Sequence, residues 1–273
     1  MTDPCSPSSN GSQSNVLGES QGGIRDFRVP MPHSAAHLSP ELEANRRYLD
    51  QLRVSHLDLY TQIVAARDGE LFMLDLFLLP VLQRSYGLVE GFLDAFDRHN
   101  PAAAAPLVRL QLDSLFRVRY VAHHEKSDDI ARDLWKGKEF RHMQDGKQKR
   151  KLTDAYLKGL AAADHPWAAK VYDGTSGWVH FSPSHIKAAW QIEAAGAGSR
   201  TIEGGIPYRL ETIPVSFWQS MLDSIVQATL DLFEWLRLWA RRKGLPSTEM
   251  RDLPIAWPIF EAEARLNRLM QFN

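Results

Sequence analysis

The sequence predicts an all-α protein, a bundle of about six to eight helices with a small β-hairpin inserted around residues 190–209. Apolar residues recur every three or four positions through most of the chain, as they do on one face of a helix. Serine or asparagine followed by proline, a common start of a helix, occurs at Ser39, Asn100 and Ser182. Residues 190–209 do not follow this helical pattern, because two short segments typical of β-strands flank glycines there.

The boundaries of the predicted elements come from this periodicity and from start and stop signals. Residues 1–38 are rich in Ser, Gly, Pro and Asn and cannot bury enough apolar surface to offset their chain entropy. We therefore expect a disordered tail over residues 1–38 and a single helical domain over residues 39–273. Pro80 should kink the second helix. The predicted helices cover about residues 39–67, 70–99, 101–124, 128–135, 152–163, 166–172, 183–190, 214–243 and 257–271.

Composition and charge narrow the class of protein. The net charge is -1, so no overall field attracts nucleic acid or acidic membranes. The single cysteine, Cys5, can form no disulfide within the chain, which fits a reducing compartment and a cytoplasmic location. The most apolar run, residues 71–82, is too short for a bilayer, which takes about 20 residues. We expect no signal peptide and no membrane-spanning segment.

One segment, residues 172–185, combines residue types that are typical of a site. On a helix, Tyr172, Ser176 and His180 would share one face, because they are spaced four residues apart. Histidine is the side chain best suited to proton transfer near neutral pH. The predicted binding residues of this segment are Tyr172, Ser176, Trp178 and His185.

Two glycines in the same segment, Gly174 and Gly177, are poor interior residues for a helix and cost about 1 kcal/mol each relative to alanine. They are explained if a neighbouring helix or a ligand must approach the backbone closely. Two interpretations stay open. Either His180 is a buried residue that ties helices together by hydrogen bonds, or it belongs to a binding site.

Two stretches of sequence also carry a resemblance to a family. The first is Lys-Leu-Thr-Asp at residues 151–154, and the second is Ser-Gly-Trp-Val-His-Phe-Ser at residues 176–182, which Tyr172 precedes. With these motifs the chain resembles a group of uncharacterised bacterial all-helical proteins over about residues 70–240. The resemblance implies an all-helical fold and a bacterial context, and it assigns no catalytic role to any residue.

The third predicted helix carries a row of charges, Arg109, Asp113 and Arg117, spaced four residues apart. On an exposed face each pair contributes about 0.3–0.5 kcal/mol. Facing the interior, the row would mark a polar pocket that could include His180. Both placements stay open. The second would support a hydrolase acting on RNA or a nucleotide, with His180 as general acid or base, Arg109 binding an anionic group and Asp113 orienting a neighbour.

A second nuclease hypothesis rests on the end of this helix. Small helical ribonucleases of the HEPN type carry an arginine a few residues before a histidine. The pair Arg119 and His124 is similar to that motif, and so is Arg117 with His123. The resemblance implies an RNA-cleaving, dimeric enzyme of a defence or toxin system.

The predicted functions therefore fall into two classes, a binding or interaction protein and a nucleic-acid or nucleotide hydrolase. The partner at residues 172–185 would be a small ligand or a protein. RNA is a further candidate, because the basic connector over residues 136–151 contains Phe140, although a solvated loop explains that segment equally well. A homodimer would form through the long helix over residues 214–243. We predict no cofactor and no metal site, because the chain has no cysteine cluster and no phosphate-binding glycine loop.

Overall fold

The computed structural model describes residues 39–146, 148–180, 182–195, 199–204 and 213–245, with the backbone alone for 189–195 and 199–204. The chain divides into two units, Met1–Met31 and Pro32–Asn273, and every described residue belongs to the second. The predicted disordered tail over residues 1–38 lies outside the described residues. The predicted last helix over residues 257–271 does so too.

The described part of the chain is built from α-helices, which confirms the predicted all-α class. None of these helices is both long and apolar enough to span a bilayer. Two short 3-10 turns, Ala66–Gly69 and Phe140–His142, connect longer elements. The helices are α1 Pro40–Ala65, α2 Asp75–Asp97, α3 Pro101–His123, α4 Ser127–Trp135, α5 Asp154–Ala161, α6 Pro166–Val179, α7 Pro183–Ala189 and α8 Val215–Gly244.

The predicted hairpin falls on two segments that are described only by their backbone. The backbones of β1, Trp190–Ala195, and β2, Ser199–Gly204, run antiparallel, with Trp190 opposite Gly204. Paired backbones alone do not establish a folded hairpin, so the insertion around residues 190–209 stays a prediction.

Side-chain caps fix the starts of two of the long helices where the sequence predicts them. The Ser39 hydroxyl accepts a hydrogen bond from the Leu42 N–H at 3.2 Å. The Asn100 side-chain oxygen accepts one from the Ala103 N–H, also at 3.2 Å. Each cap satisfies an amide that the helix itself leaves without a partner, so α1 and α3 begin one residue later, at a proline.

The start of α2 differs from the prediction. The sequence predicts a helix from residue 70, whereas α2 begins at Asp75. Arg67 and Asp68 have φ angles of 54° and 56°, which no right-handed helix can continue. The Asp75 carboxylate then accepts a hydrogen bond from the Phe72 N–H at 2.8 Å and holds the turn that precedes α2. Pro80 consequently lies near the start of α2, inside the helix.

Helices α1, α2, α3 and α8 pack around one hydrophobic core, and α5 and α6 pack against the outer side of α3. The apolar face of α8 is used inside this chain, because Trp218 and Trp235 are both buried in the core. A homodimer through α8 would therefore need the remaining faces of that helix, and it stays a prediction. The largest fully buried side chains include Leu49, Ile63, Phe92, Leu112, Trp167 and Phe233.

A buried polar network crosses the centre of this core. The His56 ring donates from Nδ1 to the carbonyl oxygen of Leu52 at 2.8 Å, and its Nε2 accepts from the Ser85 hydroxyl at 2.9 Å. The Gln111 amide donates to the Ser85 hydroxyl at 2.7 Å and to the Thr229 hydroxyl at 3.1 Å. Because a carbonyl only accepts, Nδ1 carries a proton, and Nε2 accepts from Ser85 only while the ring is neutral. Burial lowers the pKa of His56 to about 4.

A fully buried ion pair joins the ends of three helices. The Lys243 ammonium lies 3.0 Å from the Asp75 carboxylate, and both side chains are 0% exposed. The same ammonium donates to the Ile63 carbonyl at 2.8 Å. The second oxygen of Asp75 accepts from the Trp239 indole N–H at 2.7 Å. The pair therefore fastens α8 to the start of α2 and the end of α1.

We expect Asp75→Asn to lower the free energy of unfolding by about 3–5 kcal/mol, because it leaves the buried Lys243 charge without its counter-charge. Urea denaturation measures the change. The control is Asp97→Asn, which breaks the ion pair with Arg46 at partly exposed side chains and should cost about 0–1 kcal/mol. Equal losses in the two variants would contradict the importance given to the buried pair.

The lowered pKa of His56 predicts a pH dependence of stability. Between pH 6.5 and 4 the unfolded chain binds a proton that the folded chain does not, so stability falls as the pH drops through this window. Above this pH window the lowered pKa of His56 contributes about 3 kcal/mol to the free energy of unfolding. His56→Asn should lack this part of the pH dependence. The difference in the free energy of unfolding between wild type and variant should therefore narrow from pH 7 to pH 4. A constant difference across that range would contradict the prediction.

Candidate functional site

Helices α3 and α6 lie side by side and bring one predicted catalytic residue to two predicted binding residues. The Arg109 guanidinium donates to the Tyr172 hydroxyl at 2.6 Å and to the Ser176 hydroxyl at 3.2 Å. It also lies over the Tyr172 ring, 4.4 Å from the ring centroid. Tyr172 and Ser176 face α3 together because α6 continues past its predicted end at residue 172 to Val179. These three residues are called the Arg109 site below.

The two hydroxyls of the Arg109 site are oriented by their own contacts. The Ser176 hydroxyl donates to the Tyr172 carbonyl oxygen at 2.7 Å, so its lone pairs face the guanidinium. The Tyr172 oxygen accepts from Arg109, and no acceptor for its own proton lies within hydrogen-bond distance among the described residues. Burial raises the pKa of the Tyr172 hydroxyl, although the Arg109 charge acts in the opposite direction. Tyr172 therefore stays protonated and able to donate.

Arg109 has no carboxylate partner in the part of the chain that the structure describes. The predicted row of charges on α3 divides, because Asp113 pairs with Arg117 and, at 3.5 Å, with Arg84. Arg117 in turn reaches the Asp154 carboxylate at 2.7 Å. The structure thus shows Asp113 balancing these two arginines, and no contact with Arg109 or with a histidine that it could orient. Among the described residues, the Arg109 charge is therefore held by neutral groups, the two hydroxyls and the Tyr172 ring.

His180 stands apart from this arrangement. Helix α6 ends at Val179, and His180 has extended backbone angles, φ -113° and ψ 143°. The spacing that predicts a shared face with Tyr172 and Ser176 applies only while the helix continues. The His180 side chain is exposed, so it is not the buried link between helices that the sequence left open. Among the described residues it also makes no side-chain hydrogen bond to Arg109, and the predicted catalytic set is not assembled.

Trp178 and His185 form a second cluster on α6 and α7. Their ring centroids lie 5.1 Å apart, and the Trp178 ring packs 5.6 Å from Phe217 at the start of α8. Among the described residues no contact joins this pair to Arg109, because Ser176 and Trp178, two residues apart on α6, point in different directions. The predicted binding segment therefore splits between two faces.

The two glycines of α6 have different surroundings. A Cβ at Gly177 would lie 2.9 Å from the Ser182 hydroxyl and 3.0 Å from the Ser184 hydroxyl. The Ser182 hydroxyl donates to the Gly177 carbonyl at 2.7 Å. Gly177 thus makes room for the chain's own turn into α7. A Cβ at Gly174 would meet nothing within 4 Å.

The alternative nuclease pair lies at the other end of α3. Arg119 and His124 both line a cavity of about 640 Å³. The Arg119 guanidinium pairs with Asp164, and the His124 Nδ1 accepts a hydrogen bond from the Lys126 N–H at 3.1 Å. Among the described residues, no contact joins Arg119 to His124. Arg117 of the second pair is held by Asp113 and Asp154, as described above.

The cavity also contains a residue that the sequence does not single out. Tyr120 is 7% exposed, and its hydroxyl has no hydrogen-bond partner among the described residues. Spacing alone cannot distinguish this tyrosine from other core aromatics. The one feature of the sequence that points to Tyr120 is its position next to Arg119, in the motif that resembles a nuclease.

The aromatic residue of the basic connector is not available for stacking on a base. Phe140 is buried, and the Arg117 guanidinium lies 5.5 Å from its ring centroid. Two basic side chains of the connector are paired locally, Lys138 with Asp133 and Arg141 with Glu139. These contacts support the solvated-loop interpretation of the connector.

Within the described ranges, no group of three or more His, Cys, Asp or Glu side chains could hold a metal ion. No family model, curated protein or solved structure matches this chain. The candidate sites therefore rest on the geometry of this chain alone.

The contrast between the glycines gives a matched pair of variants. Gly174→Ala should raise the free energy of unfolding by up to about 1 kcal/mol, since it improves helix propensity in open space. Gly177→Ala should be less stable than Gly174→Ala by about 1–2 kcal/mol, because its Cβ displaces the Ser182 hydroxyl from the Gly177 carbonyl. Thermal and urea denaturation compare the two. Equal stability would show that the turn into α7 does not require a glycine.

Proposed function

We propose that the protein is a helical binding protein that takes an anionic group, a carboxylate or a phosphate, at the Arg109 site. One observation carries the proposal, namely that a partly buried arginine is oriented by two hydroxyls and has no carboxylate to balance it among the described residues. A charge withdrawn from water without a counter-ion is costly, and a bound anion would remove that cost.

The donors of the site suit an anion. Two of the five N–H groups of the guanidinium bind Ser176 and Tyr172, which leaves an edge of the planar fork for a carboxylate or phosphate oxygen. The Tyr172 O–H can donate to the same oxygen. Hydrogen bonds to charged groups are about twice as strong as neutral ones, so these donors would supply specificity as well as affinity.

Several expectations from the sequence belong to this proposal. The binding protein would be cytoplasmic and bacterial, as the single cysteine and the family resemblance suggest. Residues 39–273 would form one domain, with the hairpin around residues 190–209 as an insertion. The exposed His180, close in sequence to Ser176, would be able to contact a ligand larger than a simple anion.

A nucleic-acid or nucleotide hydrolase is the second candidate. The observation that favours it is the common cavity of Arg119 and His124. The charges of that cavity act against an RNA backbone, because its lining contains three carboxylates and two cationic side chains. The binding protein is therefore the better-supported proposal.

Calorimetric titration of the full chain with inorganic phosphate, acetate, mononucleotides and single-stranded RNA tests the proposed function. Wild type should bind at least one anion, and Arg109→Gln should weaken that binding about tenfold or more, because hydrogen bonds to a charged group are lost. Phosphate and acetate distinguish the two kinds of anionic group. The control is Arg84→Gln, an arginine whose side chain is 41% exposed and which pairs with Asp113 outside the site.

Two results would contradict the proposal. One is the absence of saturable binding by any of these anions to wild type. The other is equal weakening by the Arg84 and Arg109 variants, which would indicate attraction by general charge. Shortening of the RNA by wild type but not by His124→Ala would instead support the hydrolase.

A further inference from the structure

The Arg109 site leaves one edge of its guanidinium open to solvent. Nε donates to Ser176 and Nη2 donates to Tyr172, so the two hydroxyls occupy one edge of the planar group. Nη1 makes no hydrogen bond among the described residues, and it is not one of the buried polar atoms that lack a partner. A ligand can therefore reach Nη1 and the second N–H of Nη2, which point in the same direction from the end of the guanidinium.

A second cation lies close to the same tyrosine ring. The Lys158 ammonium is 5.8 Å from the centroid of the Tyr172 ring, and the guanidinium carbon of Arg109 is 4.4 Å from it. The two cations are therefore at most about 10 Å apart, which is one Debye length at about 0.1 M salt. Salt screens interactions over this distance only in part, so the charges around Lys158 act on a ligand at Arg109.

The charge of Lys158 is already balanced. Both carboxylate oxygens of Asp173 accept from its ammonium, at 2.7 and 3.0 Å. Asp173 is the residue next to Tyr172 on α6, and its side chain is 63% exposed. A ligand at the Arg109 site therefore meets a carboxylate in the place where a second free cation would otherwise attract it.

The other charges beside the site on α3 also balance one another. Asp113 pairs with Arg84 and Arg117, and Arg117 pairs with Asp154 as well. Two arginines and two carboxylates leave no net charge, just as the pair on α5 and α6 leaves none. Among the described residues, the site and its surroundings therefore carry one positive charge in excess, that of Arg109.

We propose that the Arg109 site selects a group with a single negative charge, a carboxylate, and that Asp173 determines this selectivity by balancing Lys158. The inference rests on the proposed function and narrows its two kinds of anion to one. A carboxylate is planar and sets two oxygens against the two N–H groups of the open edge. A phosphate monoester carries more than one charge at neutral pH, and a nucleic-acid backbone adds the charges of neighbouring phosphates, which Asp173 repels.

Calorimetric titration of the full chain with acetate, dimethyl phosphate and sulfate, at constant ionic strength, tests the inference. Acetate and sulfate differ in charge, whereas acetate and dimethyl phosphate carry the same charge and differ in shape. Wild type should bind acetate more tightly than either of the other two anions.

Asp173→Asn should shift the preference towards the dianion. Over about 10 Å in water, removing one negative charge tightens the binding of a monoanion about twofold and of a dianion about fourfold, because repulsion scales with the charge of the ligand. Acetate and sulfate should respond in this ratio. The control is Asp129→Asn, which removes a carboxylate of similar exposure, 61%, from its pair with Arg132 on α4 and should change neither affinity. Both variants should melt close to wild type, since exposed ion pairs contribute little to stability.

Three results would overturn the inference. They are sulfate binding to wild type as tightly as acetate, dimethyl phosphate binding as tightly as acetate, and an unchanged ratio of acetate to sulfate affinity in Asp173→Asn. In each case an anion still binds, and the proposed function stands if Arg109→Gln weakens that binding. Failure of all three anions to bind wild type would instead contradict the proposed function, and the selectivity would fall with it.

Discussion

The buried ion pair of Lys243 with Asp75 is the interaction that most restricts the arrangement of the helices. Removing two charges from water costs several kcal/mol per ion, and the attraction repays this only in one geometry with further hydrogen bonds. The carbonyl of Ile63 and the indole of Trp239 supply those bonds here. The ends of α1, α2 and α8 are therefore fixed relative to one another. Helix α3 packs on both α2 and α8, so the helix that carries both candidate sites is held by the same contacts.

Because α3 turns as any α-helix does, its polar residues point to different neighbours. While its apolar side faces the core, Arg109 is directed to α6 and Tyr120 to the loop after residue 143. The charges between them, Asp113 and Arg117, balance each other and Asp154. The two ends of α3 therefore present different chemistry, an unbalanced cation at one end and a cavity with excess carboxylates at the other. This difference is the reason for assigning an anion to the Arg109 site and not to the cavity.

The sequence was sufficient where local rules decide the structure. The caps at Ser39 and Asn100 and the apolar periodicity predict the helices because each depends on residues within a few positions. It was insufficient where partners are distant. The spacing of Tyr172, Ser176 and His180 predicts one face, but α6 ends before His180. The spacing of Arg109, Asp113 and Arg117 predicts one row of charges, and Asp113 does pair with Arg117 of the same helix. Its second partner, Arg84 of α2, depends on how α2 and α3 pack, and Arg109 has no part in these ion pairs. The missing partner of Tyr120 has no signature in sequence at all.

The contrast between satisfied and unsatisfied polar groups is the argument for function. Where this fold buries charge for stability, at Lys243, each contact is made with good geometry, and where it buries a histidine, at His56, both ring nitrogens have partners. Arg109, by contrast, has no counter-charge in the described part of the fold. Stability alone gives no reason for this charge, because leucine would fill the same space without the cost of desolvation. A bound anion that supplies the missing counter-charge gives a reason for it.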